Sequence, residues 1–265
     1  MRKFFIFVIV IICFAVMAFV GFKIAKRIYR YAKSPKIFDA RPIIAQLPSI
    51  QDGLKIFTAS SLDRIFQDGR TLLKPSFGSK VTIAAARNEY EAFQIVVNSS
   101  KDQPGVFIQT SDFVNAKTGQ TISKDNFTWR RVGYVQTLKP YYPVKLIGFW
   151  PDPLIPEKFF DVKADTVQPF WLTVYIPKDA PAGDYTATVT VKGLNLAEQI
   201  IPVSLRVYNF TLPVESHLKT AFDFYGHITK VRYPQGENES AETWHARLDG
   251  LNDKFIMNML KHRMN

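Results

Sequence analysis

The stretch PFWLTVYIPKDAPAGDYTATVTV, residues 169–191, restricts the fold more than any other part of the chain. Phe170, Leu172, Val174 and Ile176 alternate with Trp171, Thr173 and Tyr175, and after a turn Tyr185, Ala187, Val189 and Val191 alternate with Thr186, Thr188 and Thr190. A period of two puts one set of side chains on each face of a strand, so each segment reads as a strand with one face buried. Ile201, Val203, Leu205 and Val207 repeat the pattern, and Pro202 among them, lacking an amide donor, belongs near a strand start or on an edge. VTIAAARNEYEAFQIVV (81–97) supplies two further strands around a polar turn, and WRRVGYVQT (129–137) another. Short strands separated by turn chemistry such as KDAPAGDY, where Gly183 gives backbone freedom and Tyr185 enters the core, predict a mainly β protein built as an immunoglobulin-like antiparallel β-sandwich.

Both ends of the sequence depart from this pattern. Phe4 to Phe22 is a run of 19 residues without a charge, about 28 Å long as a helix, which suits a single membrane span. A cleaved signal peptide is the competing reading, with Ala18 after Val16 and Met17 as the cut. An uncleaved anchor is preferred because the run exceeds a usual signal core and no polar segment precedes the cut. Ile12 before Cys13 does not suit a lipoprotein. At the other end Leu248, Leu251, Phe255 and Met259 recur at helical spacing, widened by Ile256 and Leu260. Ser240 can cap that helix, Glu242 suits its first turn, and Lys261, His262 and Arg263 suit its last. LKTAFDFY, Leu218 to Tyr225, reads as one more strand before it.

The expected organisation is an anchor with basic flank over 1–35, a proline-containing linker over 36–53, a sandwich over 54–214, and a strand and helix over 215–265. Charge agrees with this division. The formal net charge is +11, yet residues 1–33 hold seven Lys or Arg and no acid, leaving 27 basic against 23 acidic residues elsewhere. The excess flanks the apolar run, and no basic stripe interleaved with aromatics suggests nucleic-acid binding. Lys23, Lys26, Arg27, Arg30 and Lys33 follow the span, so the positive-inside rule alone would place the domain in the cytoplasm. Ile24, Ile28 and Tyr31 allow this flank to lie along anionic headgroups instead of in water. The single cysteine, Cys13, excludes a disulfide within the chain. His217, His227, His245 and His262 are scattered without metal spacing, and neither a glycine-rich phosphate loop nor a Gly-x-Ser-x-Gly elbow is present, so no cofactor is expected.

Five motifs in order, ARNEYEAFQIVV (86–97), RRVGYV (130–135), GFWPDPLIP (148–156), QPFWLTVYIPKDAPAGDYTATVTV (168–191) and VYNFTLPVESHLKTAF (207–222), resemble the amino-terminal portion of glycoside hydrolase family 123 and of proteins carrying domain of unknown function 4091. The resemblance covers residues 54–265. It implies a β-sandwich ahead of a (β/α)8 barrel, removal of terminal N-acetylgalactosamine by a substrate-assisted mechanism, and an extracytoplasmic domain. It further implies that LKTAFDFY is the first barrel strand and HARLDGLNDKFIMNMLKHRMN the first barrel helix of an incomplete barrel. The family's catalytic pair is an adjacent Asp-Glu. No Asp-Glu dipeptide occurs in this sequence, so no catalytic residue is assigned and the chain alone is expected to be inactive.

Residues for substrate contact are sought in two places. Asp223, Tyr225 and His227 would lie at the carboxyl end of the expected barrel strand, where such folds place substrate contacts; the preferred alternative is that Asp223 and His227 are ordinary loop residues satisfied by backbone or water. The loop YYPVKLIGFWPDPLIP would present Tyr142 and Trp150 beside Asp152, aromatics for the apolar face of a sugar and a carboxylate for its hydroxyls; the preferred alternative is that its aromatics anchor the loop against the sandwich or against a barrel. Arg130 and Arg131 could pair with carboxylates nearby. The expected function is therefore a membrane-anchored, non-catalytic front of a glycoside hydrolase-like protein acting on N-acetylhexosamine-containing glycans. The alternatives are a free-standing surface module that binds glycan or protein, and a truncated product whose helix face at Leu251, Phe255 and Met259 is open. Oligomeric state is not readable.

Overall fold

The structure, a computed structural model, describes residues 45–47, 53–71, 78–144, 146–215, 217–220, 224 and 226–264. The expected span at 4–22 and its basic flank lie outside them, and no helix among the described residues is long and apolar enough to cross a membrane. The strands in chain order are β1 (Ala45–Gln46), β2 (Leu54–Ser60), β3 (Arg70–Thr71), β4 (Val81–Arg87), β5 (Glu89–Ser99), β6 (Gln103–Thr110), β7 (Phe113–Asn115), β8 (Thr121–Ile122), β9 (Phe127–Gln136), β10 (Phe149–Ile155), β11 (Phe160–Val162), β12 (Thr166–Ile176), β13 (Gly183–Gly193) and β14 (Leu196–Thr211). Two helices come after them, α1 (Gly226–Arg232) and α2 (Ala241–Lys261).

Two sheets share one core. The first has the order β10-β9-β12-β5-β2 and the second β11-β6-β13-β14-β4, with β7 attached at β13 and β8 at β7. Phe93, Ile95 and Val97 of β5 and Phe170, Leu172, Val174 and Ile176 of β12 meet Tyr185, Val189 and Val191 of β13 and Val203, Leu205 and Val207 of β14. The period-two faces read from the sequence are thus the buried faces. Removing these side chains from water drives the two layers together, at about 25 cal/mol per Å² of apolar surface.

Every pairing in the two large sheets is antiparallel except that of β14 with β4, which is parallel from Val203 beside Val81 to Val207 beside Ala85. The expectation of a wholly antiparallel sandwich is corrected there. A parallel pair cannot be joined by a tight hairpin, and here strands β5 to β13 intervene between the partners. Pro202 lies opposite Thr188 on β13, one residue before that parallel pairing begins, where the other side of β14 is still open. This is the edge position its missing amide requires.

The polar turn between the first two strands is a single residue, and it moves the chain from one sheet to the other. Asn88 has φ +60°, in the left-handed region that asparagine tolerates better than most residues. Its amide donates to the Ile176 carbonyl (2.7 Å), its Nδ2 to the Leu212 carbonyl (2.8 Å), and its Oδ1 accepts from the Tyr175 hydroxyl (3.0 Å). At the opposite end Asp165, φ +58°, lies where the chain passes from β11 to β12, and its amide donates to the Ser99 carbonyl (2.8 Å). Gly183 opens β13 at φ +152°, where a Cβ would stand 2.5 Å from Asn115 Nδ2. Tyr185 is buried and donates its hydroxyl to the Pro181 carbonyl (2.8 Å), holding the KDAPAGDY turn against the core.

Three sequence expectations change. The stretch read as a linker contains β1, paired with β3, and buries Leu47 against Phe57, Ala59, Ile65, Val96 and Val167 on the outer face of the first sheet. No strand forms at 218–220 or 224, the described part of LKTAFDFY, so the first barrel strand is not formed there. A strand needs a neighbour for its amides and carbonyls, and no strand is paired with this segment among the described residues. The polar stretch after it contains α1, whose buried Thr229 donates its hydroxyl to Asn252 Oδ1 of α2 (2.7 Å). In α2 the expected cap is in place, Ser240 Oγ accepting from the Thr243 amide (3.2 Å), and Leu248 is buried. Leu251 and Met259 are half-buried, and Phe255, Ile256 and Leu260 are exposed.

Because Asn88 combines a left-handed backbone with two side-chain hydrogen bonds, Asn88→Ala should destabilise the sandwich by about 2–3 kcal/mol and Asn88→Gly by about 1–2 kcal/mol. Urea unfolding followed by tryptophan fluorescence checks both values and their order.

Candidate functional site

The sequence GFWPDPLIP, expected in a loop, is the edge strand β10. Phe149 pairs with Gln136, Trp150 with Val135 and Pro151 with Tyr134, the register then slips, and Leu154 pairs with Val132. Pro151 and Pro153 remove two amides from this strand, and the irregularity twists it. Both are devices that keep an edge from recruiting another strand. Gly133 allows the close approach, since a Cβ there would lie 2.7 Å from Ile155 Cδ1 and 2.9 Å from Pro153 Cγ.

The segment after β2 folds over the outer face of the same sheet and meets β10. Trp150 stacks edge-on against Phe66 (5.2 Å between centroids, 73°), and the Arg64 guanidinium lies 6.0 Å from its ring. Arg70 lies over Phe66 (5.5 Å) and pairs with Asp68 (2.7 Å). Below them the Tyr134 hydroxyl faces the carbonyls of Ile65 (3.3 Å) and Val167 (3.2 Å), and Gln168 Nε2 donates to the Val132 carbonyl (3.0 Å). Burial, with a smaller contribution from Asp68, pushes the Tyr134 phenol well above its ordinary range near 10.

On the inner face Arg131 forms a two-pronged pair with Glu157, Nε to Oε2 at 2.8 Å and Nη2 to Oε1 at 2.9 Å, while its guanidinium covers Phe160 at 4.2 Å. Arg131 thus pairs with a carboxylate as expected. Its fork and stacking contact fix the start of β11 against β9, a structural task that lysine could not copy. Arg130 is exposed.

Of the six residues expected to touch substrate, four are described. Asp223 and Tyr225 lie outside the described residues. His227 is the second residue of α1 and exposed. Trp150 is half-buried against Phe66, Asp152 is exposed on β10, and Tyr142 stands out from the loop before β10, edge-on to Tyr141 (5.2 Å, 89°). Arg64 and Phe66 were missed because the segment 61–69 has no period. A shallow depression of about 540 Å³ lies elsewhere, lined by Gln109, Thr110, Lys124, Asp125 and Phe127, and includes none of the six. Among the described residues no group of three His, Cys, Asp or Glu is placed to hold a metal.

The described residues define a two-sheet, mainly β domain. The profile of the glycoside hydrolase 123 N-terminal domain matches residues 61–193, and the chain belongs to that family. The structure of a family 123 glycoside hydrolase from Clostridium perfringens is similar at TM-score 0.58 and 19% identity, over 68% of this chain and 32% of that one. The chain therefore spans about a third of the length of that hydrolase. A PapD-like domain of human CEP192 (TM-score 0.31, 9% identity, 66% and 98% covered) and a GH5 xyloglucanase of Bacteroides ovatus (0.26, 12%, 58% and 24%) are too distant to carry an argument. No curated protein matches the chain.

The packing at β10 sets two expected outcomes. Trp150→Ala should cost about 1–3 kcal/mol, while Tyr142→Ala should stay within about 0.5 kcal/mol in the same unfolding assay. The raised Tyr134 pKa means that the folded state holds this proton after the unfolded chain has lost it. The stabilisation is complete below the ordinary value of 10 and is lost as pH rises above it. Unfolding midpoints should therefore fall above about pH 10 in the wild type and less steeply in Tyr134→Phe.

Proposed function

We propose that this chain is the membrane-anchored, non-catalytic amino-terminal part of a glycoside hydrolase-like protein acting on N-acetylhexosamine-containing glycans. The observation that carries the reading is the family match over residues 61–193, on a fold shared with about a third of a family 123 hydrolase. Under this reading the sandwich is a support. Its aromatic, arginine and carboxylate groups around Trp150 and Arg131 are engaged in holding β10 and β11 to the sheet. The 19-residue apolar run Phe4–Phe22 supplies the anchor, with the domain outside the cytoplasm. A free-standing glycan-binding module would use Trp150 and Tyr142 as platforms; Trp150 packs edge-on with Phe66 and is half-buried, whereas Tyr142 is exposed.

The source DNA beyond the codon for Asn265 tests the enzyme reading. An open frame that reaches an Asp-Glu pair is expected. The protein from that frame should release sugar from an N-acetylgalactosaminide, while residues 1–265 alone should release none. A frame that ends without the pair would overturn it. The anchor is tested separately, since a spanning chain stays with membranes through alkaline carbonate and a cleaved or peripheral one is released.

A further inference from the structure

The two ends of the sandwich differ in a way the function above does not use. At the end opposite Asn88, Leu54 at the start of β2 and Thr166 at the start of β12 both pair with Ser99 at the end of β5. β9 runs from Phe127 beside Val174 to Arg131 beside Phe170, so it points toward that same end before the chain leaves it. In the sequence, β2 is the first long strand after the Phe4–Phe22 run. The loop between β9 and β10 therefore projects from the end of the sandwich at which β2 begins.

The neck of this loop is closed. The Thr137 amide and hydroxyl donate to the Gly148 carbonyl (2.8 and 3.0 Å), and the Gly148 amide donates to Thr137 Oγ1 (3.1 Å). Beyond the neck the large apolar side chains point outward. Leu138 is 78% exposed, Tyr142 56% and Ile147 42%, and Tyr141 is fully exposed. Pro140 and Pro143 limit the backbone around the tyrosine pair. Lys139 is exposed beside them, and the sequence LKPYYPVKLI, residues 138–147, holds two lysines and no Asp, Glu, Asn or Gln. A sugar-binding loop wants carboxylate or amide groups for hydroxyls, and this one offers none. Tyrosines with aliphatic neighbours and lysines, without a carboxylate, match the chemistry of the boundary between acyl chains and anionic headgroups.

We propose that this loop docks on an anionic lipid surface, with Leu138, Tyr141 and Tyr142 entering the headgroup layer and Lys139 pairing with lipid phosphate. The domain is then held to the membrane at a second point in addition to its anchor. This placement rests on the reading of Phe4–Phe22 as membrane-bound, and the two are tested apart. In a Cys13→Ser background the full chain is labelled with a polarity-sensitive fluorophore at Leu138→Cys or, as the control at the opposite end, at Lys178→Cys. It is reconstituted in vesicles of phosphatidylcholine alone or with phosphatidylglycerol. A shift of the 138 label to shorter wavelength with phosphatidylglycerol, reduced by Lys139→Glu and absent at 178, is expected. Equal emission from the 138 label in both vesicles and in detergent would overturn the proposal, as would a shift seen only on adding a soluble protein or an N-acetylhexosamine oligosaccharide. If carbonate releases the chain, the anchor reading has failed, and the same labels are then read after mixing with preformed vesicles, so the loop is still decided.

Discussion

The sandwich depends on how its chain changes sheets. Two flat layers with a common core need a backbone that can leave one layer and enter the other without burying unpaired amides and carbonyls. Here the passage from β4 to β5 takes one residue, Asn88, and the passage from β12 to β13 begins just beyond Ile176. The hydrogen bond between those two residues joins both crossings. At the far end the amide of Asp165 does the same for the exit of β5 and the entry of β12 through Ser99. Both residues have positive φ, and both bonds couple segments far apart in sequence. The hydrophobic core holds the layers together, and these corners fix which strands face each other across it.

Much of the strand content was legible because alternation is a local property. Phe170 to Ile176, Tyr185 to Val191 and Ile201 to Val207 each declare their buried face within seven residues, and the structure buries those faces. Sheet membership was not legible. Nothing in AAARNEYEAF says that the strands on either side of Asn88 belong to different layers, since a two-faced pattern looks the same in a hairpin and in a crossing. The parallel pairing of β4 with β14 has the same cause, because it joins Val81 to Val203 across most of the domain.

The site was read less well than the fold. GFWPDPLIP carries two prolines, and prolines argue against a strand unless it lies at an edge, which is where β10 lies. Anchoring of Trp150 against the sandwich was one of its two readings, but its partner Phe66 lies 84 positions earlier in a segment without period, so the partner could not be named. Arg131 shows the same limit in reverse. A carboxylate partner was expected, and the choice of Glu157 together with the Phe160 ring required knowing that β11 returns beneath β9. The polar stretch that becomes α1 has few apolar residues to reveal a period, and its burial rests on Thr229 and its bond to Asn252.

Entry and exit at opposite ends of the sandwich have a mechanical meaning. The chain enters at Leu54, beside Ser99, and leaves after Thr211, beside Arg87 and Asn88. Tension between whatever holds the amino terminus and whatever the carboxyl-terminal part engages runs along the strands, not across them. The ladders β2 to β5 and β14 to β13 would then be loaded in shear, so that many hydrogen bonds must yield together instead of opening one at a time. A domain strung in this way transmits force lengthwise as a stiff spacer and keeps Thr211 a fixed strand-length away from Leu54.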